Sequence, residues 1–117
     1  MKIPHPNKKS IDFLKSLVPD DLRVTVRPMF GNLSAFVNGN MFFGLFGNDL
    51  FLRLSPQDQQ VLLKQKGARF LEPVKGRPMK NYVLIPETWK NEPDTIQIWV
   101  SRSLAWSSKL SAKKAKK

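Results

Sequence analysis

The sequence predicts an α+β domain, a mostly antiparallel sheet with helices packed on it, in the order α-β-β-β-α-β-β-α. Three observations carry this: short apolar segments cut by Asn-Gly and Gly-Asn turns, a polar segment opened by Ser55-Pro56, and a C-terminal stretch with apolar residues at helical spacing. A chain of 117 residues suits one domain. A domain of that size buries roughly two-thirds of the surface its unfolded chain exposes.

Positions 1–9, with Pro4, Pro6 and three lysines, read as a basic extended arm. Ser10 is placed to cap a short helix in which Ile11, Leu14, Leu17 and Val18 share a face until Pro19 stops it. The alternating run RVTVRP reads as a short strand or an extended arm. NLSAFV and MFFGLF then flank Asn38-Gly39-Asn40, whose Asn-Gly pair supplies the positive φ angles of a tight hairpin. The Gly-Asn-Asp at 47–49 turns the chain into LFLRL and completes a three-stranded meander. Ser55 as N-cap, Pro56 in the first helical position and Asp58 three residues after the cap start a second helix that ends near Gly67. RFLEPV and NYVLIP are two further strands around a loop containing Gly76 and Pro78. The last helix starts at Asp94 and puts Ile96, Trp99, Val100, Leu104, Trp106 and Leu110 on one wide face, with Ile98, Arg102 and Lys109 on the other. The single domain therefore spans 10–110, and 111–117 is a flexible Lys-rich tail.

Twenty Lys and Arg against nine Asp and Glu give a net charge of +11, and the sequence pI is about 10.3. Such a balance favours polyanions. Lys113, Lys114, Lys116 and Lys117 crowd the last five positions, where they can track the phosphates of DNA or RNA without fixed geometry. Arg102 and Lys109 extend that basic surface onto the last helix. The same tail can serve as a solubilising segment, and no lipid-anchoring signal adjoins it. With no apolar run near the ~18 residues of a membrane span and no hydrophobic region of signal-peptide type, a cytoplasmic protein without membrane contact is expected.

The inventory points away from catalysis. No cysteine is present, and His5, the only histidine, lies between two prolines in the arm, which leaves no triad and no histidine-rich or cysteine-rich metal site. Asp20, Asp21, Asp49, Glu72, Glu87 and Asp94 coincide with turns and helix starts. The six glycines form no phosphate-cradling loop. No enzyme, no catalytic or metal-binding residue and no cofactor are expected.

Strict alternation across the hairpins puts Leu33, Ala35, Val37, Phe42, Phe46, Phe51 and Arg53 on one sheet face, with Phe36, Met41, Phe43, Leu45, Leu52 and Leu54 opposite. Both faces are apolar. Short helices can wrap them into a core, or one face can remain for a second copy or protein partner around Phe42, Phe46, Phe51 and Arg53, or for stacking of unpaired bases.

RPM occurs twice, at Arg27 and at Arg77, with different turn chemistry after each copy, so the chain contains no duplication. Each copy reads as a stiff extended entry into a turn, with Met29 and Met79 available for packing. Should the two segments meet, Arg27 and Arg77 form a candidate anion site; otherwise each satisfies a local carbonyl or carboxylate.

The ordered series RPMFG, VNGNMFFGLF, DLFLRL, GARF and GRPM, the last shortly before an aromatic residue and Ile-Pro, resembles the N-terminal domain of TfoX/Sxy-type proteins over about positions 24–110. Here Asn32 follows Gly31 where the family pattern has a second glycine, and Asn81-Tyr82 stands for a frequent aromatic pair. The resemblance implies a compact α+β domain of secretion-chaperone-like architecture, associated in named members with regulation of bacterial competence genes. Together with the charge it leads to the expectation of a non-enzymatic regulatory domain with weak electrostatic nucleic-acid binding, or alternatively of a protein-interaction or dimerisation module.

Overall fold

A computed structural model describes positions 4–29, 31–74 and 76–110, with Met29 described by its backbone alone. In chain order the elements are α1 (Lys8–Leu17), β1 (Val24–Met29), β2 (Asn32–Val37), β3 (Asn40–Phe46), β4 (Asp49–Arg53), α2 (Pro56–Leu63), β5 (Arg69–Val74), β6 (Arg77–Leu84), a 3-10 helix (Glu87–Asn91) and α3 (Pro93–Ser108). The six strands form one sheet in the order β1-β2-β3-β4-β6-β5, and every neighbouring pair is antiparallel. The expected α+β class and helix-on-sheet arrangement hold. RVTVRP is a true strand, pairing with β2 from Val24 opposite Val37 to Met29 opposite Asn32. Pro28, which has no N–H to donate, is accommodated because β1 is an edge strand.

Turn chemistry follows the sequence closely. Asn38 (φ 52°) and Gly39 (φ 76°) close the β2–β3 hairpin in the left-handed region, where Asn and Gly are tolerated best. Ser55 Oγ accepts the Asp58 N–H at 3.1 Å and caps α2. Ser10, by contrast, is not the cap of α1. Asn7 caps it, its Oδ1 accepting the Ser10 N–H at 2.8 Å, so helical structure begins within the segment expected to be an extended arm.

All three helices contribute to one core. Leu14 and Leu17 of α1, Leu62 of α2 and Ile96, Val100 and Leu104 of α3 pack with Ala35, Val37, Phe43, Leu45, Leu52 and Val83 of the sheet. A β-bulge sets which strand residues reach it. A two-residue turn pairs Val37 with Asn40 and Phe36 with Met41, but the register then shifts and Ala35 lies opposite Phe43. The extra residue is Phe42, and both Phe42 and Phe43 are fully buried on the helix side. The alternation expected across this hairpin is therefore corrected. Ala35, Val37, Phe42, Phe43, Leu45, Leu52 and Leu54 share the helix-side core, while Met41, Phe46, Phe51, Tyr82, Leu84 and Leu71 form a separate cluster without helical residues.

Ser103 fastens α3 to this bulge. It is fully buried, and its Oγ lies 2.7 Å from the Phe42 carbonyl oxygen and 2.6 Å from that of Arg53. A bulge leaves its carbonyl without a regular ladder partner, and the helix hydroxyl fills that place.

Candidate nucleic-acid interface

Arg102 on α3 and Lys109, the residue that caps its C-terminus, are both exposed and seven residues apart, about 10 Å along the axis, so they lie on nearly the same face. Their availability differs. Arg102 Nη1 lies 3.3 Å from Asp58 Oδ1, and its guanidinium carbon sits 4.9 Å from the centre of the Trp99 ring. One carboxylate and one aromatic face already hold it. Lys109 directly follows α3, where its charge complements the negative end of the helix, and it has no ion pair among the described residues. Lys113, Lys114, Lys116 and Lys117 lie outside the described residues.

Among the described residues three ion pairs occur, Arg23–Asp21, Lys90–Glu87 and Arg102–Asp58. Arg23 donates through its backbone N–H, Nε and Nη2 to Asp21, and these bonds hold the Asp21 carboxyl at about 2, below its ordinary 3.8. Arg23 is thus committed locally. Most other described basic side chains face solvent without a carboxylate partner, and with 14 Lys and Arg against nine Asp and Glu the described residues keep a net positive charge.

Arg27 and Arg77 do not form a common anion site. Arg27 is on β1 and Arg77 on β6, with β2, β3 and β4 between them. Four strand spacings of ~4.8 Å separate these strands by about 19 Å. Arg27 covers the Phe36 ring, its guanidinium carbon 4.1 Å from the ring centre. Arg77 is exposed opposite Val74, just after the Gly76 turn (φ 82°), so the second RPM leaves a turn instead of entering one. Met79 is 38% exposed and does not pack inside, and the Met29 side chain lies outside the described residues.

The expected partner surface around Phe42, Phe46, Phe51 and Arg53 is also rearranged. Phe42 belongs to the helix-side core, whereas Phe46, Phe51 and Arg53 are on the opposite face. Phe51 is only 3% exposed, because its ring lies over Gly44, where an added Cβ would come within 2.8 Å of it. Tyr82 meets Phe51 edge to face with ring centres 5.6 Å apart, and its hydroxyl donates to the Met41 carbonyl at 3.0 Å. Burial raises the Tyr82 pKa, with nearby Arg53 pulling the other way. Arg53 Nη1 donates to the Tyr82 hydroxyl at 3.3 Å. The domain's own side chains therefore already cover Phe42 and Phe51, and of the expected rings Phe46 alone is partly exposed. At about 25 cal/mol per Å², the few Å² left on a nearly buried ring are worth only tenths of a kcal/mol.

Two features of the structure go beyond what the sequence alone assigns. Asn32 is buried; its Nδ2 donates to the Pro4 carbonyl at 2.9 Å and its Oδ1 accepts the Gly47 N–H at 2.9 Å. Asn48 Oδ1 accepts from the Asn7 N–H and the Ser10 hydroxyl, each at 2.9 Å. Together these amides strap the N-terminal segment across the β1–β2 and β3–β4 turns. The second feature is the β5–β6 hairpin. β4 pairs with β6 only at Tyr82, Val83 and Leu84, and residues 77–81 are exposed one after another. The signal was present in the closely spaced Pro73 and Pro78, since proline is tolerated where a strand lacks a neighbour on one side.

A cleft beside the strap, about 460 Å³ in volume, is lined by Pro4, Phe46, Asp49, Arg69, Glu72 and Glu87, among others. Among the described residues no group of three or more His, Asp or Glu side chains is arranged to hold a metal ion. His5 Nδ1 lies 3.4 Å from the Gly31 carbonyl oxygen.

This sheet, with its three helices on one face, is an α+β domain whose exposed chemistry is predominantly basic. The chain belongs to the TfoX N-terminal domain family, matching it over residues 17–107. The match covers the whole sheet and all but the last residue of α3. No curated protein matches the chain.

Proposed function

We propose that this domain is a non-enzymatic, cytoplasmic regulatory module, competence-related as its family membership suggests, which holds nucleic acid by electrostatic attraction. The observation that carries the reading is a net charge of +11 on a chain whose described residues form only three ion pairs. Lys113, Lys114, Lys116 and Lys117 supply the main contacts, Lys109 continues them onto α3, and Arg102 contributes less because Asp58 and Trp99 hold it. Contacts of this kind go to phosphates and carry no sequence information. The residue inventory supports the non-enzymatic part, since it offers neither cysteine nor a histidine next to a nucleophile. Among the described residues no helix is long and apolar enough to cross a membrane. The alternative of an interaction module using the apolar sheet face is weaker, because Phe42 and Phe51 have almost no surface left to offer.

Removing residues 112–117 is expected to lower the slope of log Kobs against log salt by about 3 to 4, at ~0.7–0.9 for each phosphate no longer neutralised. Fluorescence anisotropy with a labelled duplex or single strand, for the intact and shortened chains, measures it. Equal slopes for the two chains would remove the tail from the mechanism.

A further inference from the structure

We propose that the β5–β6 hairpin is a DNA-reading ribbon that enters the major groove of a duplex, an inference that rests on the nucleic-acid reading above and assigns it a fixed element. β6 is eight residues long, yet it pairs with β4 only through its last three. Its first part pairs with β5 alone, Arg77 opposite Val74 and Met79 opposite Leu71. In a strand covered on one face, burial alternates with period two. Here Arg77, Pro78, Met79, Lys80 and Asn81 are all exposed, so neither face of this stretch is covered. Five residues at about 3.3 Å each carry the ribbon at most ~17 Å past the last pairing with β4, at Tyr82. A two-stranded ribbon is one of two elements that fit a B-DNA major groove, which is about 12 Å wide.

The chemistry of the ribbon selects the partner. Arg77 and Lys80 are positive, exposed and without an ion pair among the described residues, which suits the phosphates on either side of a groove. Val74 and Met79, 41% and 38% exposed, present apolar surface beside those charges. A major groove offers one apolar group for such side chains, the thymine methyl. The lysine-rich tail needs no fixed geometry to meet phosphates, whereas Arg77 and Met79 are placed by pairing with Val74 and Leu71, and Lys80 follows in the stretch where the register shifts before Phe70 meets Val83. Duplex DNA therefore fits this surface better than a single strand, which offers no groove.

The test uses the intact chain, an Arg77→Ala/Lys80→Ala variant and a Met79→Ala variant, each titrated with a labelled duplex across a salt series. With two fewer phosphates neutralised, the double variant is expected to show a salt slope smaller by about 1.8 and an affinity reduced on the order of tenfold. A duplex with uracil in place of thymine lacks the methyl groups but keeps every charge. It is expected to bind the intact chain more weakly than the thymine duplex, and this difference should vanish in Met79→Ala. The substituted side chains are exposed, and unchanged circular dichroism melts will show that the fold is intact. A wild-type salt slope in the double variant, or no thymine preference in the intact chain, would overturn the ribbon. If the double variant keeps the wild-type slope while tail removal lowers it, the ribbon fails and the tail reading stands. The reverse pattern supports the ribbon and removes the tail. Absence of DNA binding by the intact chain overturns both.

Discussion

Ser103→Ala is expected to destabilise the domain by about 2 kcal/mol and to lower its Tm by on the order of 8 °C. The hydroxyl is fully buried and lies 2.7 Å from the Phe42 carbonyl oxygen and 2.6 Å from that of Arg53. It has one proton and two acceptors, so alanine removes one good hydrogen bond and leaves two carbonyl oxygens facing a methyl group. Leaving a buried acceptor unsatisfied costs more than an average hydrogen bond contributes, about 1–3 kcal/mol. Phe42 is also the bulge residue whose displacement puts two adjacent phenylalanines into the helix-side core. Loss of the anchor therefore acts on sheet register as well as on helix docking. A thermal melt followed by circular dichroism measures it, and an unchanged midpoint would mean that the two carbonyls have other partners.

Asn32→Gly is expected to cost about 1–3 kcal/mol and to free the N-terminal segment. The buried amide holds the Pro4 carbonyl with its nitrogen and the Gly47 N–H with its oxygen. Glycine removes both bonds and adds backbone freedom to the unfolded chain. Amide hydrogen exchange separates the local from the global effect. The Gly47 N–H should lose protection by more than the change in overall stability accounts for, while α3 amides change only with global stability. Equal changes at both places would mean that Asn32 stabilises the domain without acting as the strap's fastening.

Much of the fold was legible because local chemistry and tertiary structure agree. Asn38-Gly39 could close only a narrow class of turn, and Ser55-Pro56 with Asp58 marked the start of α2. Faces were harder to read than elements. Period two assumes an unbroken ladder, and one extra residue at Phe42 reverses the parity of the rest of β3 relative to β2. Nothing in MFFGLF reveals that bulge, because apolar residues occupy both parities and the pattern does not register a slip. The cap of α1 was misplaced for a related reason. Asn7 and Ser10 can both cap, and the choice depends on Asn48, 38 residues beyond Ser10, which takes the Ser10 hydroxyl.

The site was legible in charge but not in geometry. Composition alone announced a basic domain, and the tail lysines are visible as a cluster in any reading of the chain. Whether Arg27 and Arg77 meet depended on sheet order, which places three strands between them. The availability of Arg102 depended on Asp58, 44 positions earlier in the chain. The exposed half of β6 was hidden because strand length says nothing about how much of a neighbour lies alongside, and β4 is three residues shorter.

The salt dependence of duplex binding by the intact chain tests the central claim most directly. Four tail lysines, Lys109 and two ribbon cations engaging phosphates predict a linear fall of log Kobs with log salt, with a slope of about −6. A slope near zero, or no binding at low salt, would contradict it.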